Sequence, residues 1–403
     1  MNEVRALVEA FDAANAAGER SALATVVSVE GSSYRRPGAR MLVCESGAST
    51  GMISAGCLES DVVEHAKRVI GTGEAVLVEY DTASTGEEMA WGLGLGCNGV
   101  VRVLVEPLAP ESLYVEALRQ SCEGQTDAAP LQVTTVYQHA PSNPTAARIE
   151  TGARFFIDDG EVVGHEKLSD EAATLLGAEV RALSFGGATS GAHIFDVGGA
   201  GVKVFVETLL PPVPLVIFGA GHDALPVVDL ARGLGWQTEV VDPQARPASH
   251  FRFALANKVT LARPEEIGAR VHLTPRSLTL LMTHNYSQDL ALLRFLLASP
   301  ARYIGVMGPR KRTERMLSEL AAGEDMSCLE EAGLARLYSP AGFDIGANAP
   351  AEIALSIVAE MRAVLDGRGG GMLRERRGSI HGGLSDGERV TVAEEHAMPV
   401  AVA

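Results

Sequence analysis

Two cysteines stand inside glycine-rich polar loops. Cys57 lies in Ala55-Gly56-Cys57-Leu58-Glu59-Ser60, just ahead of a stretch with helical spacing, and Cys97 lies in Gly94-Leu95-Gly96-Cys97-Asn98-Gly99. A thiol in or just before the first turn of a helix meets the positive end of the backbone dipole. That favours the thiolate, which is both a nucleophile and a soft metal ligand. An isolated cysteine is more commonly a small buried hydrophobe, and Cys44, Cys122 and Cys328 read that way. A third polar loop, Gly31-Ser32-Ser33-Tyr34-Arg35-Arg36-Pro37-Gly38, offers hydroxyls and two guanidinium groups. Arg35 and Arg36 would suit an oxyanion, or would equally suit a charged hairpin.

A second constellation follows the apolar run Leu215-Val216-Ile217-Phe218. Gly219-Ala220-Gly221-His222-Asp223 comes directly after it, and Asp242 closes the later run Glu239-Val240-Val241. Strand, glycine turn, helix and a second strand ending in an acid make the dinucleotide-binding βαβ pattern, with Ala224 at the third small position. Gly219 and Gly221 would let a phosphate approach backbone amides, and Asp242 would take a ribose hydroxyl. Further polar loops follow the later apolar runs: Thr283-His284-Asn285, Gly308-Pro309-Arg310-Lys311-Arg312, and Gly342-Phe343-Asp344. Arg310 and Lys311 open a helix, a favourable place for a phosphate or pyrophosphate, although a solvated helix start has the same composition. His222 and His284 could exchange protons near neutral pH, or could simply bond a neighbouring loop.

These residues need a scaffold. Apolar spacing predicts a helix over residues 3–17, strands over 22–29 and 40–43, a helix over 60–70 and strands over 75–80 and 100–106. Residues 111–213 are less regular, apart from a hairpin over 154–163 with Asp159-Gly160 at its turn. Val103-Leu104-Val105-Glu106-Pro107 resembles Val204-Phe205-Val206-Glu207-Thr208. The likeness predicts that the two strands share one sheet and a similar role, without implying a duplication. From Pro214 onward strand and helix alternate six times, the pattern of a doubly wound parallel sheet. The expected fold is α/β, with a C-terminal Rossmann-type sheet over 213–366 preceded by an N-terminal α+β domain over 1–212. Residues 367–403, rich in Gly, Arg and Ser, read as a loose tail.

The bulk properties exclude some partners. With 51 acidic against 34 basic residues the net charge is −17, which argues against nucleic acid and anionic membranes. No apolar run approaches the roughly 20 residues of a membrane span. The first residues lack a signal-peptide pattern. An odd number of scattered cysteines then points to reduced thiols and a cytoplasmic location.

Taken in order, the motifs resemble the XdhC/CoxI family, accessory proteins that mature molybdenum hydroxylases such as xanthine dehydrogenase. The resemblance rests on Gly31-Ser32-Ser33-Tyr34-Arg35, Gly56-Cys57-Leu58-Glu59 and Gly94-Leu95-Gly96-Cys97-Asn98-Gly99 in the first half. In the second half it rests on Phe218-Gly219-Ala220-Gly221-His222, Thr283-His284-Asn285 with Asp289, Tyr303-Ile304-Gly305, and Asp344-Ile345-Gly346-Ala347. It covers most of residues 1–365, least well over 111–200. Asn98, Ala55 and Phe343 depart from the usual residues, and none removes a thiol or a phosphate-loop glycine. The resemblance implies binding of molybdenum cofactor, as molybdopterin or its cytidine dinucleotide form. It also implies sulfuration with a cysteine desulfurase and delivery to an apo molybdenum hydroxylase subunit. Cys57 and Cys97 would contact molybdenum or relay sulfur, and a homodimer would suit the transfer. Such a chain is a cofactor-handling factor rather than an enzyme with free turnover. The alternative is an NAD-dependent oxidoreductase built on the glycine turn and Asp242. A further one is a docking scaffold whose nucleotide site is vestigial.

Overall fold

The structure is a computed structural model that describes residues 2–31, 33–81, 99–139, 149–185, 190–197, 200–322 and 330–376. The chain divides into two compact units, Met1–Pro212 and Val213–Ala403.

The first unit begins with α1 (Asn2–Ala16), β1 (Ser21–Gly31), β2 (Arg40–Cys44), β3 (Ser49–Gly51), α2 (Glu59–Thr72), β4 (Val76–Asp81) and β5 (Gly99–Leu108). The same succession then returns as α3 (Leu113–Glu123), β6 (Leu131–His139), β7 (Arg154–Asp158), β8 (Glu161–Glu166), α4 (Asp170–Phe185), β9 (Gly191–Val197) and β10 (Ala200–Leu209). The two antiparallel sheets have corresponding orders, β3-β2-β1-β5-β4 and β8-β7-β6-β10-β9. Fine details also repeat. Val26 and Ala39 bond at 2.9 Å as Val136 and Ala153 do at 2.8 Å, and the amides of Gly38 and Gly152 both return to those valines. A register shift interrupts β1 between Val26 and Ser28 and the β10–β6 pairing beside Val204.

The unit is therefore an internal duplication. This corrects the expectation drawn from the two similar strands: β5 and β10 lie in different sheets, each at the same place in its own copy. The likeness survives because both strands are buried on two faces. Val103 and Val105 of β5 pack towards α2, as Val204 and Val206 of β10 pack towards α4. Leu104 and Phe205 meet Val27 and Tyr137 in a cluster between the sheets. At one side of that layer α1 and α3 pack with matched spacing, Leu7, Val8 and Phe11 against Tyr114, Val115 and Leu118.

The second unit has six parallel strands: β11 (Pro214–Phe218), β12 (Gln237–Asp242), β13 (Lys258–Leu261), β14 (Leu278–Leu281), β15 (Tyr303–Val306) and β16 (Leu337–Tyr338). Their order, β13-β12-β11-β14-β15-β16, is that of a complete doubly wound sheet. The central strands β11, β14 and β15 are buried along their whole length because both faces are covered, whereas β12 and β13 towards one edge carry polar residues such as Glu239 and Lys258. Val216, Phe218 and Val306 pack with α8 (Tyr286–Ala298) and α9 (Arg310–Ala321), and Leu215, Ile217 and Tyr303 with α5 (Leu225–Gly233) and α11 (Pro350–Leu365). The expected fold class is borne out. Among the described residues no helix is long and apolar enough to cross a membrane.

Candidate functional site

In the first unit, the ladders bring several loop ends to one edge of the first sheet. Gly31 at the end of β1 pairs with Gly99 at the start of β5, and Asp81 at the end of β4 pairs with Val100. Gly51, which ends β3, pairs with Met41 near the start of β2. The Tyr80 hydroxyl donates to Asp61 at 2.7 Å, tying the first turn of α2 to the end of β4. The Arg35 loop and the Cys57 loop thus leave the same sheet end from which residues 82–98 depart. Cys97 belongs to that segment and lies outside the described residues, as does Cys328.

Cys57 is exposed, whereas Cys44 and Cys122 are buried. The thiol stands two residues before α2, but the amides around it are already engaged. Ser54 Oγ accepts from the amides of Cys57 and Leu58 at 3.0 and 3.1 Å, and the Glu59 carboxylate accepts from the amides of Ile53 and Ser54 and from the Ser54 hydroxyl. Burial opposes ionisation of Glu59, yet these bonds hold its carboxyl below the ordinary range. Ser54 and Glu59 thus bind the amides on both sides of the loop, and the exposed Cys57 thiol projects from it. Arg35 is engaged as well: it makes a two-pronged contact with Glu3 of α1 at 3.0 and 2.5 Å. Arg36 is exposed. Among the described residues no group of three or more His, Cys, Asp and Glu could hold a metal ion.

In the second unit the predicted polar loops gather at the carboxyl ends of the strands, on both sides of the switch in strand order between β11 and β14. Gly219 has φ +131°, and an added Cβ would overlap the Met282 carbonyl group and lie 3.1 Å from the Thr283 amide nitrogen. The missing side chain is what lets the turn after β11 lie against the loop after β14. Across that contact His284 Nε2 and Asp223 Oδ2 are 2.6 Å apart. His284 holds φ +58°, a conformation uncommon for a residue other than glycine. Thr283 donates to Asp289 at 2.5 Å, and buried Asp289 takes Arg312 at 2.5 Å. A continuous polar chain therefore joins the loops after β11, β14 and β15. Asp223, Asp289 and Arg312 carry it; both aspartates stand in the sequence motifs, but nothing in those motifs pairs them with His284 or Arg312.

The remaining predicted residues divide. His222 and Asp344 are exposed on these loops, and Arg310 and Lys311 are exposed in the first turn of the helix that follows β15. Asn285 caps α8 through an accepting bond from the Gln288 amide at 3.1 Å, which accounts for its residue type structurally. Asp242 is fully buried and saturated: it accepts from the amides of Gln244 and Arg246, from the Arg246 guanidinium at 2.9 Å and from the Ser249 hydroxyl at 2.6 Å. A ribose diol could reach it only by displacing these donors, so Asp242 does not stand ready for the role expected from its position. Arg246 and Ser249, which close it off, lie in an irregular stretch with no periodic signal.

Burial pushes the Asp242 carboxyl up, but the donors from Arg246 and Ser249 outweigh it and hold the group below the ordinary range. A depressed native pKa contributes stability above the unfolded value of about 3.9 and loses it as pH falls through the native value. Acid denaturation of Asp242→Asn should thus show a shallower loss of stability below about pH 4 than wild type. Superimposable acid limbs in denaturant titrations would refute this.

The sheet order and the crowded glycine turn define a Rossmann-type α/β protein, joined to a duplicated unit with a surface thiol. Residues 14–81 match the XdhC and CoxI family, and residues 215–361 match the XdhC Rossmann domain. The chain is 30% identical over 348 residues to a Bacillus subtilis (strain 168) protein named as a probable subunit of xanthine dehydrogenase, spanning 85% of this chain and 92% of that one. It is 32% identical over 181 residues to the uncharacterized protein YqeB of Escherichia coli (strain K12), spanning 44% of this chain and 32% of the other. A crystal structure described as a xanthine dehydrogenase from Bacillus halodurans matches with a TM-score of 0.67 at 28% identity, covering 92% of this chain and 96% of that one. The chain belongs to the XdhC/CoxI family.

Proposed function

We propose that this chain is an accessory factor of a xanthine dehydrogenase-type molybdenum hydroxylase. In this reading it binds molybdenum cofactor, supports its sulfuration and delivers it to the apoenzyme. Family membership supports the association with xanthine dehydrogenase, as does the relative that carries that enzyme's name. The observation that carries the finer reading is the donor set. A soft ligand, Cys57, is exposed on a loop in which its own amide and that of Leu58 are bonded to Ser54. The second unit, taken by itself, has the glycine turn after β11 and exposed Arg310 and Lys311 in the first turn of the helix that follows β15. Those two kinds of donor fit a pyranopterin phosphate that carries a metal and sulfur. The bound group would supply the metal centre and its sulfur ligands. Cys57 of the first unit would suit the metal or its sulfur as a thiolate contact, and the second unit, taken by itself, has strand-end loops that would suit a phosphate. A cysteine desulfurase as sulfur source, a homodimeric carrier and a cytoplasmic setting belong to the same proposal.

The reading as an NAD-dependent oxidoreductase draws on the sheet order, but Asp242 has no free acceptor for a ribose. The test is to purify the full chain from cells with active molybdenum-cofactor synthesis and to assay molybdenum and oxidised pterin. Stoichiometric pterin in wild type and a drop of about tenfold in molybdenum for Cys57→Ser are expected. Pterin-free protein that binds NAD tightly would sink the proposal, and unchanged molybdenum in Cys57→Ser would sink its thiol part.

A further inference from the structure

The segment after β12 contains two guanidinium groups that the cofactor reading does not use. Arg246 sends Nε and Nη2 to Asp242 at 2.9 and 3.3 Å, and Arg252 sends Nη1 to the Ala220 carbonyl in the glycine turn at 2.6 Å. The two anchors are neighbours, because the Gly219 amide donates to the Val241 carbonyl at 2.9 Å. A guanidinium carries five N–H donors. Beyond these anchors the donors of both arginines have no partner among the described residues. Arg246 balances Asp242, whereas Arg252 has no carboxylate against it among the described residues. A positive charge is thus left beside the glycine turn of a chain whose net charge is −17.

In dinucleotide-binding folds an acid at the end of the second strand receives the ribose diol, and an arginine near that place receives a phosphate instead. Here the acid is saturated and two arginines stand beside it. We propose that Arg246 and Arg252 form an anion subsite. The ligand of this crevice would then carry a phosphate group at the end of β12 in place of a free ribose diol. The inference rests on the crevice being a ligand site, as the proposed function also holds, but not on the ligand being a pterin. A diphosphate running from the glycine turn to Arg252, or a phosphate ester on a nucleotide ribose, would each meet this chemistry. Arg252 is a specificity determinant, and Arg246 both holds Asp242 closed and faces the anion.

Calorimetry on the full chain with inorganic pyrophosphate, NADP and NAD tests the subsite. Pyrophosphate and NADP should bind at least tenfold more tightly than NAD, and Arg252→Gln should abolish that preference while Arg252→Lys restores part of it. Hydrogen exchange over residues 213–322 confirms that the variant is folded, since the Arg252 guanidinium donates one bond, to the Ala220 carbonyl, among the described residues. Pyrophosphate bound without NADP would identify the diphosphate form, and NADP bound without pyrophosphate the ribose ester. Equal affinity for NAD and NADP with no pyrophosphate binding would overturn the proposal, as would full binding by Arg252→Gln. Pterin content is read separately in the same preparations. Retained pterin with no effect of Arg252 removes the subsite alone, and absent pterin with Arg252-dependent pyrophosphate binding removes the cofactor reading alone.

Discussion

Alanine at position 219 is expected to destabilise the C-terminal unit by about 3 kcal/mol or more, and to disorganise the loop that carries His284. Two costs combine. The native φ of +131° is one that a residue with a Cβ rarely adopts. The added carbon would also sit on the Met282 peptide, 2.7 Å from its carbonyl carbon, where backbone rather than a flexible side chain must move. Gly221 makes the contrast. A Cβ there would overlap the Asp223 carboxylate, the far end of a side chain that can swing away, and would otherwise only touch the His284 ring at 4.0 Å. Gly221→Ala should therefore cost less than about 1 kcal/mol while displacing Asp223 from His284. Chemical denaturation followed by hydrogen exchange of β11 and β14 separates the two. Equal stability of Gly219→Ala and wild type would mean that the turn does not need the close approach described above.

Removing Arg154 is expected to cost the N-terminal unit about 3–5 kcal/mol, because it strands a carboxylate in the layer between the two sheets. Arg154 and Glu106 are 3% and 1% exposed and form an ion pair, while the Arg154 Nε also reaches the Thr135 hydroxyl at 3.1 Å. The pair crosses between the copies, from β7 of the second to β5 of the first. Its counterpart crosses the other way: Arg40 of β2 pairs with Glu207 of β10, with the Tyr114 hydroxyl donating to Glu207 at 2.6 Å. Arg154→Met should be strongly destabilising, and Arg154→Met combined with Glu106→Leu should recover most of the loss, since the pair as a whole contributes little over apolar packing. Arg40→Met should behave like Arg154→Met. Hydrogen exchange in β1, β5, β6 and β10 reads the effect inside the full chain. Full protection in Arg154→Met would show that the crossed pairs do not hold the copies together.

The polar loops of the second unit are legible in the sequence because short apolar strands, buried on both faces, leave an unambiguous alternation with helices. Residues 215–218, 278–281 and 303–306 are such strands, and the loops that follow them are where a doubly wound sheet places its ligands. Asp223, Asp289, Arg246 and Arg252 are not legible as site residues. Asp223 and Arg252 act through His284 and Ala220, 61 and 32 positions away, and no local spacing records such contacts, whereas Arg246 stands four residues after Asp242 in a stretch without a periodic signal.

The duplication is hidden in the sequence for a related reason. The copies keep Gly38-Ala39-Arg40 and Gly152-Ala153-Arg154, and they keep Glu106 and Glu207, which the crossed ion pairs require. Most other matches are exchanges among apolar residues, such as Phe11 for Leu118 or Val27 for Tyr137, which packing tolerates if volume is redistributed. The connections also differ in length, seventeen residues at 82–98 between β4 and β5 against two at 198–199 between β9 and β10. Local periodicity and turn chemistry are enough to specify the doubly wound sheet, the boundary near residue 212 and the glycine-loop thiols. Long-range contacts are needed to establish that the first unit is one module twice over, because that depends on which distant side chains meet in the buried layer between its sheets, where unpaired charge is costly. The saturation of Asp242 is decided by the tertiary structure too, but locally, by how the turn after β12 folds Arg246 and Ser249 back onto the carboxylate.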